Sequence, residues 1–142
     1  MIVGKDYPGV TVCYFCHDGN GNFLMHKRSN NCRDEKGNWD IGAGTLEFGD
    51  TIEHTLHKEI KEEYSTDVLS HEFLGFRDVH REDDGKKTHW IAIDFKVLVD
   101  SKKVANGKPH KFNEVGWFTL ASLPSRVHSQ LHDFIKRYIS RL

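Results

Sequence analysis

A chain of 142 residues with a formal net charge of −1 suits a single domain spanning residues 1–142. A chain of this size buries roughly two-thirds of its unfolded surface, so it does not need disulfides for stability. The near-zero charge excludes a general attraction to nucleic-acid polymers or anionic membranes. No run of about 18 apolar residues could span a bilayer, and Met1 to Gly9 lacks the apolar core of a signal peptide, so we expect a cytoplasmic protein.

The first elements are predicted to be a β-hairpin, a loop and a short strand. Gly9 to His17 is rich in Val, Tyr, Phe and Thr, which favour strands. Asp18 to Asn22 contains two glycines between polar residues and predicts a tight turn into a second strand over Phe23 to His26. Asn30 to Asn38 is polar and predicts a loop, after which Trp39 to Ile41 forms a short strand.

The three cysteines are predicted to be reduced residues without a metal. Cys13 and Cys16 have C-x-x-C spacing, but on a strand they point to opposite faces, which is poor geometry for a shared ion. Cys32 leaves the count odd, and no second pair completes a zinc site. Reduced thiols are the usual state in a cytosolic protein.

A glycine-rich loop and a helix follow. The loop holds Gly42, Gly44 and Gly49. Asp50, followed by Glu53 three residues later, has capping-box spacing, so the helix is predicted to start near Asp50. The apolar residues of this helix recur every four positions and form one stripe, made of Ile52, Leu56, Ile60 and Tyr64.

Three glutamates lie on or beside that stripe. At about 100° per residue, Glu63 falls among the apolar side chains, Glu59 lies at their edge and Glu62 lies further out. A carboxylate on a buried face is costly unless it is paired or binds a cation, and neighbouring carboxylates repel each other. Mg²⁺ prefers oxygen ligands and would relieve both penalties. The alternative from spacing alone is a solvated acidic face balanced by Lys58 and Lys61.

The rest of the chain is predicted to complete an α/β/α layered fold with a mixed β-sheet. Val68 to His80 reads as a strand bent at Gly75, and Asp83 to Gly85 as a turn. His89 to Val99 alternates as a strand with mostly one buried face, and Asp100 to Asn113 is a polar loop. A short strand over Val115 to Phe118 precedes a final helix with its apolar residues on one face, namely Val127, Leu131, Phe134, Ile135 and Tyr138.

The glycine loop and acidic helix together resemble the signature of the Nudix hydrolase family. That signature is Gly, five residues, Glu, seven residues, then Arg-Glu-aliphatic-any-Glu-Glu-any-Gly-aliphatic. Five of its nine defined positions are matched, by Gly44, Glu59, Ile60, Glu62 and Glu63. The four departures are Asp50 for Glu, Lys58 for Arg, Ser65 for Gly and Thr66 for the aliphatic residue. The resemblance implies the Nudix α/β/α sandwich.

The resemblance also implies a Mg²⁺-dependent enzyme, with Mn²⁺ as a substitute, that hydrolyses a pyrophosphate bond in a nucleoside diphosphate-linked compound. By this likeness the metal ligands would be Glu59 and Glu63, assisted by Glu62 and the carbonyl of Ala43, and Glu59 would accept the proton of the attacking water. Asp50 and Lys58 would orient these carboxylates. The substrate contacts would be Lys27, Arg28, Gly44 and Glu114.

The Leu46 to Asp50 segment looks closest to MutT-like members, which favours a nucleoside triphosphate as the small-molecule substrate. The resemblance is compatible with a homodimer. The departures at Asp50, Lys58 and Ser65 support a second hypothesis, a catalytically impaired Nudix-fold module that binds nucleotides or regulates. Retention of the three glutamates favours the enzyme, because a binding module does not need so costly a cluster.

Overall fold

The computed structural model describes residues 1–142 as seven strands and two α-helices. In chain order they are β1 (Gly9–His17), β2 (Phe23–Arg28), β3 (Trp39–Asp40), β4 (Gly42–Thr45), α1 (Ile52–Tyr64), β5 (Val68–Asp83), β6 (Lys86–Val99), β7 (Phe112–Phe118) and α2 (Leu131–Tyr138). Two short 3₁₀ turns follow β6 and α2, at Ser101–Lys103 and Ile139–Arg141.

All seven strands belong to one mixed sheet, in which β1 is central. β1 runs parallel to β6, with Gly9 opposite Trp90, and antiparallel to β4 on its other edge. β2 meets the end of β1 and then pairs with β3 and β7. β5 pairs antiparallel with β6 through an Asp84-Gly85 turn in which both residues have positive φ, as a type I′ hairpin turn requires. The strand order is β3-β2-β1-β6-β5, with β4 and β7 as side branches.

The two helices cover opposite faces of this sheet, and alternation along β1 divides the core between them. Tyr14 and Cys16 face α1, where they join a buried cluster with Leu56, Ile60 and Tyr64. On the other face, a second buried cluster contains Phe15 of β1 and three residues of α2: Leu131, Phe134 and Tyr138. The α/β class and the mixed sheet with flanking helices are therefore confirmed.

The start of α1 differs from the prediction in two respects. The glycine-rich segment begins as a strand, since Gly42–Thr45 pairs with β1. The helix cap is Thr51 and not Asp50: the Thr51 hydroxyl accepts a hydrogen bond from the His54 amide at 3.0 Å. Thr is itself a good cap, and this choice leaves the Asp50 carboxylate free for another partner.

Further differences concern strand lengths and burial. β2 extends through Arg28, whereas Lys27 was predicted to leave the strand. Both faces of β6 carry buried residues, because Ala92 and Asp94 are completely buried beneath α2. Val127 lies outside α2 and forms a bridge to Trp39. An alternating pattern was misleading for β6 because a buried charge looks like a solvated one in sequence.

None of the helices combines the length and the apolar character that crossing a membrane requires.

Candidate active site

An ion pair connects α1 to the loop that precedes it. The Lys58 ammonium donates a hydrogen bond to the Asp50 carboxylate at 3.2 Å, and this bond is the main cause of the raised pKa of Lys58. The other end of the helix closes at Ser65, whose φ of 58° is left-handed and whose amide bonds to the Lys61 carbonyl. Ser65 thus adopts the backbone conformation that glycine usually supplies at this position.

Glu63 is buried, with 6% of its surface exposed, as the helical periodicity predicted. Burial raises the pKa of its carboxyl from 4.5 to about 8, although the Tyr14 hydroxyl donates a hydrogen bond to Glu63 Oε1 and opposes this shift. Gly42 makes room for the pair, because a Cβ there would lie 2.0 Å from the Tyr14 ring and 2.8 Å from Glu63 Oε1. The carboxyl is therefore fixed against β4 and costly to ionise.

Glu59 lies one turn earlier, against the next glycine of β4. A Cβ on Gly44 would lie 2.2 Å from Glu59 Cγ, so only glycine permits this approach. Burial and then the Glu62 carboxylate raise the pKa of Glu59, while Glu62 itself is exposed. Glu59 in turn contributes to the raised pKa of Glu63. The three carboxylates predicted from sequence thus form one mutually repelling group beside β4.

The segment after β6 folds back over the end of α1. The amides of Ala105 and Gly107 donate to the carbonyls of Tyr64 and Glu63, each at 2.9 Å. The Lys108 ammonium follows, and its charge lowers the pKa of both Glu59 and Glu63, opposing the effect of burial. Lys108, joined by Lys58 at Glu59, therefore partly offsets the repulsion within the carboxylate group.

A cavity of about 360 Å³ lies on the α2 side of β4. Gly42 lines the cavity and also adjoins Glu63, so the backbone of β4 is shared by the cavity and the carboxylate group. Asp40 and His128 also line it, with 4.0 Å between Oδ2 and Nε2, and burial raises the pKa of Asp40. None of the three glutamates lines the cavity, so the single strand β4 separates the cavity from the carboxylate group.

Arg77 lines this cavity and belongs to a buried ion pair behind its wall. Arg77 donates to both carboxylate oxygens of Asp94, at 2.6 and 3.0 Å, and the Tyr138 hydroxyl donates to Asp94 at 2.7 Å. Arg77 Nη1 is buried without a hydrogen-bond partner, and the guanidinium lies 5.4 Å from the centre of the Phe134 ring. The two-bond ion pair with Asp94 restrains the Arg77 guanidinium beside the cavity.

The structure separates the four residues expected to contact substrate. Arg28 lines the cavity and binds Asp34 at 2.9 Å, and Gly44 adjoins Glu59. Lys27 lies opposite Glu114 in the β2–β7 ladder, and neither of them lines the cavity.

Several residues of this region were not singled out from sequence. Tyr14, Arg77 and Lys108 reach the site from β1, β5 and the segment after β6. Tyr14 reads as one more aromatic in a strand, and Lys108 as one more charge in a polar loop. No local signal marks Arg77 either, because its partner Asp94 occupies a polar position of an alternating strand and reads as solvated.

Comparison with known proteins agrees with this geometry. The sequence model of the NUDIX domain matches residues 7–141. The chain belongs to the Nudix family. The family predicted from the motif is therefore confirmed, and its members include hydrolases of phosphorus-containing anhydrides.

Solved Nudix structures share this fold across most of their length. The MutT NUDIX hydrolase of Burkholderia pseudomallei is 21% identical, with a TM-score of 0.78 over 93% of this chain and 98% of its own. The MutT protein of Methanosarcina mazei Go1 is 21% identical, with a TM-score of 0.75 over 95% and 96%. The NUDIX domain of Shewanella oneidensis NrtR, solved with ADP ribose, is 17% identical, with a TM-score of 0.75 over 96% and 89%.

Proposed function

We propose that this Nudix chain hydrolyses the pyrophosphate bond of a nucleoside triphosphate with the help of Mg²⁺. The observation that carries the proposal is the buried carboxyl of Glu63, whose pKa is raised to about 8 beside two further glutamates. Such a group is destabilising unless a cation joins it. Only the strand β4 separates it from a cavity of nucleoside size, which supports chemistry on the phosphates of a nucleotide.

The donor set fits a hard divalent ion. Glu59, Glu62 and Glu63 offer carboxylate oxygens from one helix, and the exposed strand residue Ala43 can add its carbonyl. Mn²⁺ accepts the same oxygen ligands and is the expected substitute. When bound, the ion supplies charge neutralisation at phosphate oxygens and lowers the pKa of a water.

The remaining work falls to side chains of α1 and the loop before it. Glu59 accepts the proton of the attacking water, and its raised pKa moves it toward the operating pH, which suits a general base. The Asp50–Lys58 pair restrains the first turns of α1 and so orients Glu59, which directly follows Lys58. A lysine makes this contact as a point charge, without the planar fork of an arginine.

The substrate is expected to straddle β4, with its scissile phosphates beside Gly44, and with its nucleoside and a neighbouring phosphate in the cavity. Arg28 is placed to bind a phosphate once it exchanges Asp34 for the ligand. Lys27 and Glu114 would act only at the outer edge of the substrate, through the neighbouring β2–β7 ladder. The NrtR domain, solved with ADP ribose, makes nucleoside diphosphate sugars the second substrate class to test.

The decisive experiment is a panel of nucleoside triphosphates, nucleoside diphosphates and ADP-ribose, assayed with Mg²⁺ or Mn²⁺ for release of phosphate, pyrophosphate or nucleoside monophosphate. We expect turnover of at least one triphosphate, abolished by EDTA and restored by either ion. A chain that turns over no member of the panel with either ion would contradict the proposal.

One observation favours a nucleotide-binding module as the second candidate. Lys58 meets Asp50 at 3.2 Å as a point charge, where the Nudix signature has an arginine with a planar, two-bond contact, so Glu59 is less firmly oriented for catalysis. A binding or regulatory role predicts saturable binding of a nucleotide from the same panel without turnover. Calorimetry on the panel separates the two candidates.

A further inference from the structure

Two histidines and a glutamate converge on the outer side of α1, away from the carboxylate group. Glu53 and His57 are one turn apart on α1, and His71 lies on β5. Glu53 Oε1 is 3.9 Å from His57 Nε2 and 3.8 Å from His71 Nε2. One ligand atom from each of the three residues lies within 4.8 Å of the other two.

Hydrogen bonding does not explain this convergence. Nitrogen–oxygen hydrogen bonds span about 2.7–3.2 Å, so both gaps are too long, and none of the three side chains has another hydrogen-bond partner in the chain. The two imidazole rings are perpendicular, with centroids 6.2 Å apart, so they do not stack. His71 is held by an edge contact with Phe95 at 5.6 Å. The carboxylate and the two imidazoles therefore face one another without a hydrogen bond between them.

The three ligand atoms are separated by nearly the distances found between ligands of one bound metal ion. Bonds of about 2.0–2.1 Å in tetrahedral geometry place two ligand atoms about 3.4 Å apart. The observed separations of 3.8 and 3.9 Å close to that value with small rotations of exposed side chains. We propose that Glu53, His57 and His71 bind a divalent transition-metal ion of the zinc class.

The ligand chemistry distinguishes this site from the one proposed for Mg²⁺. Imidazole suits zinc, cobalt and nickel, whereas Mg²⁺ takes oxygen ligands. Glu53 and His57 project about 120–160° around α1 from Glu59, so the two sites are on different faces of the helix. The His57 and His71 side chains are 48% and 32% exposed, which leaves water free to complete the coordination.

A bound ion would strengthen the connection between α1 and β5, where Glu53 and His71 are 3.8 Å apart. No hydrogen bond joins α1 to β5, and β5 is an edge strand that pairs only with β6. An ion held by Glu53, His57 and His71 would tie the first turns of α1 to that edge. Because such an ion binds the folded chain and not the separated segments, it raises the melting temperature.

A second cluster of the same composition provides the matched control. Asp78, His80 and His89 also bring ligand atoms within 4.8 Å of one another. Their proximity has an explanation without an ion, because His89 Nε2 and Asp78 Oδ1 form a 2.9 Å hydrogen bond and the two rings stack at 4.3 Å. Removing these histidines should leave zinc binding at the first cluster intact.

The test uses the full chain after treatment with EDTA, in millimolar Mg²⁺ so that the carboxylate group is occupied. Zinc is titrated by calorimetry and by thermal melting, and Co²⁺ serves as a spectroscopic probe. We expect one tight zinc per chain, a rise in melting temperature of about 5 °C, and Co²⁺ absorption bands typical of nitrogen and oxygen ligands. His57→Gln with His71→Gln should weaken zinc binding at least about a hundredfold and remove the shift. Turnover with Mg²⁺ should change less than about twofold.

His80→Gln with His89→Gln should keep the wild-type affinity and the wild-type shift. The proposal is overturned if the His57/His71 variant binds zinc as the wild type does, or if the control variant loses binding instead. Co²⁺ bands from thiolate ligands would also overturn it, because they would place the ion on cysteines.

Discussion

Lys58 and Asp50 are eight residues apart and meet at 3.2 Å, which joins the middle of α1 to the loop that precedes it. The contact occupies the positions where the Nudix signature has Arg and Glu. The shorter acid and the flexible ammonium keep the charges of that pair but not its planar, two-bond geometry.

We expect Asp50→Glu and Lys58→Arg to act together. Either change alone leaves a mismatch of length, whereas the double variant can form the two-bond contact that holds Glu59. Turnover of the double variant should exceed the product of the two single effects by about twofold or more, the range found for residues in direct contact. A double-mutant cycle on turnover and on Mg²⁺ affinity measures the coupling. Strictly multiplicative effects would show that Asp50 and Lys58 have no joint role in orienting Glu59.

Glu63→Gln should remove most activity and keep the fold. The amide still accepts the Tyr14 hydrogen bond and is cheaper to bury than a carboxylate, but it is a poor Mg²⁺ ligand. We expect a loss of about a hundredfold or more in kcat. Glu72→Gln is the control, because Glu72 pairs with Arg141 on the surface and such pairs contribute little. Wild-type kcat in the Glu63 variant at saturating Mg²⁺ would refute the ligand assignment.

Glu63 also predicts a pH window for the stability of the metal-free protein. The pKa is about 8 in the folded chain and 4.5 in the unfolded chain, so between these values the unfolded chain releases a proton that the folded chain retains. The stabilising contribution is complete below pH 4.5 and is lost as the pH rises through 8, at up to about 1.4 kcal/mol per pH unit. Denaturation in EDTA across this range should show the decline in the wild type and its absence in Glu63→Gln.

Mg²⁺ and Mn²⁺ should raise the melting temperature, and EDTA should reverse the gain. The ions bind a carboxylate group that exists only in the folded chain. Since Glu63 must lose its proton to bind an ion, the gain should grow with pH up to about 8. A melting temperature that is constant across millimolar Mg²⁺ and Mn²⁺, without substrate, would show that no site is preformed.

Gly44→Ala should reduce activity while the chain stays folded. A methyl group there would lie 2.2 Å from Glu59 Cγ, so the side chain must rotate away from β4. We expect at least about a tenfold fall in kcat, because displacement of a catalytic group by an ångström is costly. Gly116→Ala is the control in β7, where the added Cβ would lie 3.3 Å from the Phe118 ring and 3.9 Å from the Trp39 ring. Equal kcat in both variants would count against a role for Glu59.

The periodicity of apolar residues explains why α1 and the burial of Glu63 could be predicted from sequence. The four-residue spacing on α1 placed Glu63 on the buried side, and this depends only on the helix. The predicted helix cap was wrong because Asp50 and Thr51 are adjacent and either side chain can cap. In the structure Asp50 pairs with Lys58, and Thr51 is the cap.

Contacts between distant segments were beyond such reasoning. Asp94 occupies a polar position in an alternating strand, and its burial depends on Arg77 in the neighbouring strand and Tyr138 in the last helix. The hydrogen bond from Tyr14 to Glu63 likewise joins residues 49 positions apart.

The parallel pairing of β1 with β6 has a consequence for synthesis on the ribosome. Gly9 lies beside Trp90 and His17 beside Leu98. β1 therefore cannot pair with β6 until most of the chain has emerged. Contacts this distant in sequence slow folding, because closing the long loop between them costs entropy before the contacts form. A nascent chain that ends at residue 80 contains the sequence of α1 and its glutamates but lacks β6 and the completed sheet. Chains halted before β6 should therefore be sensitive to proteases and unable to hold Mg²⁺, and both properties should change abruptly once β6 is free to pair.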